Sequence, residues 1–204
     1  MKKFELTNEF ITNMFGTKLF RIRALVEFGD VEAGELGGYV EKESNLGHDD
    51  NAWVYDNAWV YGDAQVSGDA LVYGNARLYD NAWVYGNALV CGNALVYDNA
   101  WVYGDAQVSG GAWVYGDARV CGNGDYAYAH GFGSVNRTTT FFRLKDGGVG
   151  VRCGCFYGTL AQFRDKIRET HGESAIAEEY LDLAALMEKR FRRTGNEQKT
   201  EEES

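Results

Sequence analysis

NAWVYDNAWVYGDAQVSGDALVYGNARLYDNAWVYGNALV, residues 51–90, decides the fold, because the same six-residue phrase returns throughout it. The phrase continues to residue 122 without an insertion. Alanine stands at 52, 58, 64, 70, 76, 82, 88, 94, 100, 106, 112 and 118. Two residues after each alanine comes valine, replaced once by Leu78. Small-apolar, variable, branched-apolar is the period-two pattern of a strand with one buried face. The remaining two positions hold Gly or Asp, then Asn, Asp or Gly, residues that tolerate left-handed backbone. Each hexad therefore reads as a four-residue strand and a two-residue corner.

Strands this short have no sheet of their own, but a coil of them stacks on its neighbours and pairs every backbone group with the coil above and below. Three hexads close a triangular coil of 18 residues, and the twelve hexads of residues 51–122 give four coils. At strand spacing these stand roughly 19 Å tall. The branched residues Val54, Val60 and Val66, each followed four residues later by alanine, resemble the hexapeptide-repeat, left-handed parallel β-helix family. The resemblance implies an all-β, triangular solenoid of that hand. The chain departs from the acyltransferase version of the pattern, which has a small residue after the branched one; here that residue is mostly tyrosine.

The flanks carry a second resemblance. LFRIRALVEFGD (19–30), GELGGYVEKESNL (34–46), GSVNRTTTFFRLKDGG (133–148) and CGCFYGTLAQFRDKIRETHG (153–172) are similar to a group of bacteriophage and prophage hexapeptide-repeat proteins. That group implies an architecture and a phage context, and no chemistry. Residues 1–50 read as an N-terminal β cap and lead-in coil, built from KLFRIRALVEF and a Gly-rich turn at Gly34, Gly37 and Gly38. Such caps cover strand edges that would otherwise polymerise. Residues 51–123 are the regular coils. In 124–193, FFRLKDGGVGVRCGCFYG reads as a hairpin turning at KDGG, followed by a helical hairpin. Thr159 with Gln162 forms a capping box for the first helix, which ends at His171-Gly172; the second starts near Ser174. Residues 194–204 have the composition of a disordered tail.

A period of 18 aligns the outward residues in ladders. One side carries Trp59/Tyr61, Arg77/Tyr79, Leu95/Tyr97 and Trp113/Tyr115. The next carries Gln65/Ser67, Trp83/Tyr85, Trp101/Tyr103 and Arg119/Cys121. The third carries Trp53/Tyr55, Leu71/Tyr73, Leu89/Cys91 and Gln107/Ser109. Ring stacking explains each aromatic singly. Together they make an apolar area larger than monomers usually expose, and Trp and Tyr dominate interface energies. The expectation is a contact surface, for a second copy (trimer or dimer) or for another protein, made by Trp59, Tyr61, Arg77, Tyr79, Leu95, Tyr97, Trp113 and Tyr115, with Trp83, Tyr85, Trp101 and Tyr103 beside them.

Charge narrows the partner. The chain's net charge is −10, and residues 51–123 hold two cations against seven carboxylates. Such a surface repels phosphate backbones, so direct nucleic-acid binding is not expected. No stretch has the length and apolarity of a membrane span or a secretory signal, which points to a cytoplasmic protein with reduced thiols. Enzyme chemistry is the competing class. Hexapeptide-repeat acyltransferases use a histidine base beside coenzyme A, but His48, His130 and His171 all lie outside the regular coils. Cys153 and Cys155 lack the second cysteine pair of a structural zinc site, and a Cys-x-Cys on one strand sends both thiols to one face. No catalytic residue, cofactor or metal is expected. The leading function is a phage or prophage binding protein that inhibits a host defence or regulatory protein; a self-assembling scaffold and an acyltransferase are the alternatives.

Overall fold

The computed structural model describes residues 2–133 and 135–202, with side chains described as far as Thr194. The strands in chain order are β1 (Phe4–Thr12), β2 (Lys18–Ala24), β3 (Leu36–Val40), β4 (Trp53–Val54), β5 (Trp59–Val60), β6 (Gln65–Val66), β7 (Leu71–Val72) and β8 (Arg77–Leu78). They continue as β9 (Trp83–Val84), β10 (Leu89–Val90), β11 (Leu95–Val96), β12 (Trp101–Val102), β13 (Gln107–Val108), β14 (Trp113–Val114) and β15 (Arg119–Val120). Last come β16 (Tyr126–Phe132), β17 (Arg137–Arg143), β18 (Val149–Cys153), β19 (Phe156–Thr159), and helices α1 (Leu160–His171) and α2 (Ala175–Glu202).

The coils are those the hexad dictates. Three parallel sheets run β5-β8-β11-β14, β6-β9-β12-β15 and β4-β7-β10-β13, and each strand pairs with the one three hexads away. Trp59 N–H donates to the Ala76 carbonyl at 2.9 Å and Tyr61 N–H to that of Leu78 at 3.0 Å. The paired strand is two residues long rather than four. The reason is local: Ala58 N–H turns back to the Tyr55 carbonyl at 3.1 Å, closing the corner. Inside, the alanines and branched residues of all twelve hexads are buried in one continuous core.

Corners explain the rest of the hexad. From Asp56 to Gly116 their first residue is left-handed, as at Gly86 (φ 70°) and Asp80 (φ 56°). A Cβ on Gly86 would stand 3.0 Å from the Gly104 nitrogen, so glycine also lets adjoining coils approach. Two aspartates at this position bond to the next coil: the Asp56 carboxylate accepts from Gly74 N–H at 3.0 Å and that of Asp98 from Gly116 N–H at 3.3 Å. The second corner residues form ladders, Asn75 to Asn93 at 3.4 Å and Asn87 to Asp105 at 2.9 Å.

Each end of the solenoid is closed by an antiparallel sheet. At the N-terminus β1 pairs β2, β2 pairs β3, and β3 joins β5 in parallel, Tyr39 opposite Trp59. Gly37 and Gly38 lie within β3 rather than in a turn. A Cβ on Gly37 would be 2.5 Å from the Val54 carbonyl oxygen, so the strand needs glycine to lie on the first coil. Trp53, expected on the outward third side, is fully buried. The N-terminal segment folds over it, with Phe4 and Phe28 edge-on at 6.2 and 5.3 Å.

At the C-terminus β16-β17-β18-β19 form the second cap. Neighbours on β17 face opposite ways: Phe142 enters the solenoid core, and Phe141 packs beneath the helices with Phe163 and Tyr180. Side chains close the open edge of the last coil. Trp113 N–H donates to Thr140 Oγ1 at 3.1 Å and Gln107 N–H to Asn123 Oδ1 at 2.9 Å. The KDGG turn joins β17 to β18, with Leu144 N–H on the Gly148 carbonyl at 2.9 Å. Thr159 and Gln162 make the expected capping box, and Gly172 ends α1. Helix α2 continues past Arg193 to Glu202, into the segment whose composition suggested a tail; 203–204 lie outside the described residues.

Lys3 ties the first cap to the coils. Its Nζ is buried against the carbonyls of Ala52 (2.9 Å) and Asp50 (3.2 Å) and lies 4.6 Å from the Phe28 ring centre. Burial lowers its pKa from 10.5 to about 8, against the pull of Asp50 and Asp49. Between those pH values the unfolded chain holds a proton that the folded chain has released, so this group's contribution to stability rises with pH from about 8 to 10.5. Tyrosines with raised pKa, Tyr79 and Tyr115 among them, act oppositely above pH 10. In urea unfolding, the stability difference between wild type and Lys3→Met should shift in favour of wild type from pH 8 to 10, where the tyrosine contributions cancel. A difference independent of pH would contradict a buried, depressed Lys3.

Candidate functional site: the outward aromatic faces

The ladder on the first side is a continuous stack. Tyr61, Tyr79, Tyr97 and Tyr115 follow one another at 5.1, 4.8 and 4.6 Å between ring centres, within 11° of parallel. Spacing follows from the coil repeat, and the parallel tilt follows from one rotamer on one repeated backbone. Burial by the neighbouring rings, first among the causes, raises the pKa values of Tyr61, Tyr79 and Tyr97, so the stack stays neutral around pH 7. Beside it runs a second row, Trp59, Arg77, Leu95 and Trp113. The Arg77 guanidinium lies 4.2 Å from the centre of the Trp59 ring.

Part of this side is covered by the chain itself. Tyr157 of β19 lies against Tyr115 at 4.5 Å, tilted by 40°, and Phe142 approaches at 5.9 Å, leaving Tyr115 8% exposed. Tyr115 therefore cannot serve the contact surface expected of it. Arg152 of β18 lies 4.0 Å over Trp113, and its hydrogen bond and charge oppose the rise in the Tyr97 pKa. Trp59, Tyr61, Tyr79, Leu95 and Tyr97 remain half-buried at the surface, and Arg77 is exposed. Periodicity gave no sign of the cover, because Arg152 and Tyr157 reach the ladder from a different sheet.

Among the described residues the second side has no such cover over its middle rungs. Trp83 and Trp101 meet edge to face at 5.3 Å, Tyr85 touches Trp83 at 4.9 Å, and Tyr85 stacks on Tyr103 at 5.1 Å. Trp83 is 36% exposed, which makes it the most open of the outward tryptophans. Arg119, on the next rung, lies 4.1 Å over Trp101 and donates to the Asn99 carbonyl at 2.8 Å. The structure thus brings eleven of the twelve expected contact residues to the surface in two adjoining faces.

The three histidines do not converge. His48 accepts from Lys3 N–H at 3.2 Å and stacks on Phe4 at 4.5 Å, holding the first cap. His130 lies on β16 with Nδ1 2.9 Å from Thr138 Oγ1. His171 ends α1, its ring 6.0 Å from that of Tyr180. Cys153 ends β18, whereas Cys155 falls in the two-residue turn after Gly154 (φ 59°), so the two thiols do not share a strand as expected. Both still line a cavity of about 520 Å³ beside Phe163 and Tyr180. Among the described residues no group of three or more His, Cys, Asp or Glu is placed to hold a metal.

The YdcK Beta solenoid repeat family matches residues 64–78, 76–92 and 90–104, within the regular coils. In that stretch the chain is similar to a repeating β-solenoid, and it forms the stacked coils described above. No curated protein matches the chain. Among the described residues no helix is long and apolar enough to cross a membrane.

Removing the Arg152 side chain uncovers Trp113 and one edge of the tyrosine stack. Arg152→Ala should lower stability by about 0.5–2 kcal/mol, the range of a partly desolvated cation–π contact, and shift tryptophan emission to the red. Unchanged emission and an unchanged urea midpoint would show that β18 does not shield this side.

Proposed function

We propose that this chain is a non-catalytic binding protein that docks a second protein on the aromatic faces of its solenoid. One observation carries the reading: Trp and Tyr side chains form ordered ladders on two adjoining sides of the solenoid, and the cap residues Arg152 and Tyr157 cover one end of the first. Aromatic rings held in fixed rotamers lose little entropy on binding, which is why they act as interface anchors. The acidic corners disfavour nucleic acid and leave protein as the partner. The flanking motifs' resemblance to phage and prophage hexapeptide-repeat proteins points to a bacterial host protein of defence or regulation, inhibited by being covered.

The test is capture from a bacterial lysate with tagged protein beside two variants. Trp59→Glu with Leu95→Glu charges the first side, and Trp83→Glu with Trp101→Glu charges the second. A stoichiometric partner should be retained by wild type and lost by at least one variant. If wild type captures nothing but oligomerises by light scattering, and a variant does not, the chain is a self-assembling scaffold and the proposal fails. Coenzyme A-dependent acyl transfer lost on His130→Ala would move it to the acyltransferases.

A further inference from the structure

Each of three outward tryptophans already carries a guanidinium of this chain: Arg77 on Trp59 at 4.2 Å, Arg119 on Trp101 at 4.1 Å and Arg152 on Trp113 at 4.0 Å. In the first two the arginine sits on the following rung; in the third the cap supplies it. The fourth, Trp83, has no cation over its ring among the described residues. Its following rung is Trp101, whose ring lies at 85° to it, and its preceding rung is Gln65. Tyr85 at 4.9 Å and Trp101 at 5.3 Å contact the ring, and 36% of the residue stays exposed. The same coil geometry seats one on Trp101, a rung away.

The carboxylates are distributed in the same sense. Of the seven aspartates in residues 51–123, six stand on the two corners that border the second side. Asp63, Asp80, Asp98 and Asp117 line one border, and Asp69 and Asp105 the other; Asp56 alone is at the third corner. Lys42 pairs with Asp63 at 2.7 Å at one end. Arg119, the cation of this face, is held on Trp101 and by the carbonyls of Asn99 and Ala118, at 2.8 and 2.7 Å. A partly exposed indole between two rows of carboxylates is electrostatically complementary to a cationic chain that also offers flat guanidinium groups.

We infer that the second side recognises an arginine-bearing basic segment of its protein partner, with one arginine stacked on Trp83 and its neighbours facing the aspartate borders. The inference rests on the binding function proposed above and specifies the partner's chemistry and its point of attachment. Trp83 orients the arginine, while the aspartates set the preference for positive charge. Arginine should be preferred to lysine, because its planar group stacks on an indole and an ammonium does not.

The probe is an alternating arginine–glycine octapeptide titrated at low salt by calorimetry, with lysine–glycine and glutamate–glycine octapeptides as comparisons. The arginine peptide should bind best and the glutamate peptide should not bind. Trp83→Ala should weaken the arginine peptide about tenfold, and Trp83→Tyr, which keeps a ring face, by less. Tyr73→Ala, which removes an exposed ring from the third side, should leave it unchanged. Circular dichroism of each variant confirms that the coils persist. Equal binding by wild type and Trp83→Ala overturns the inference, as does the absence of binding. Self-association abolished by Trp83→Ala also overturns it, by making the occupant a second copy. The two readings fail separately: lysate capture with no Trp83-dependent peptide binding keeps the binding function and removes this seat. Peptide binding without a captured partner does the reverse.

Discussion

Backbone hydrogen bonds between successive coils, with side chains repeating at an offset of 18 residues, constrain everything else in this chain. A strand two residues long contributes too few bonds to hold alone. Repetition on three sides, with alanine and valine filling the interior, makes the stack cooperative. The spacing between coils then fixes the spacing between outward side chains. Tyrosines placed at one hexad position have no choice but to stack, and an arginine one rung beyond a tryptophan falls over its ring. Corners follow from the same closeness, since a Cβ on Gly86 would press on the Gly104 nitrogen.

This is why the coils were legible from residues alone and the caps less so. Ala, Val and Gly recur at fixed positions, and each position has one physical job. The N-terminal β1 offers no such repetition, β16 follows the end of the hexads, and β19 falls at the end of a segment that reads as a two-stranded hairpin. Their strands are defined by pairing with β2, β17 and β18. Trp53 shows the limit clearly. Its hexad position predicts an outward ring, but Phe4 and Phe28 come from far along the chain to bury it. Tyr115 is hidden for the same reason, by Tyr157. Arg77 over Trp59 and Arg119 over Trp101 could be found by counting 18 residues; Arg152 over Trp113 could not.

The caps also separate the two aromatic sides. Cap strands β18 and β19 shield one end of the first ladder and leave the middle of the second exposed between aspartate-bearing corners. A face pinned in place by hydrogen bonds on every rung is preorganised, so a partner meets it without the cost of ordering loops. The same rigidity means that recognition depends on which residues occupy the variable slots, and these can change without disturbing the core. In the cavity near Cys153, by contrast, the walls come from the cap strands β17, β18 and β19 and from both helices.

Deleting coils tests the register most directly. Removal of residues 81–98, one complete coil, joins Asp80 to Asn99 and leaves every ladder and both caps in phase. Removal of 81–92, two hexads, turns the remainder by two sides and sets the C-terminal cap against the wrong strands. Unfolding in urea followed by circular dichroism should give a cooperative transition for the first deletion and none, or a far weaker one, for the second. Equal tolerance of both would contradict a solenoid whose stability and faces are set by an 18-residue register.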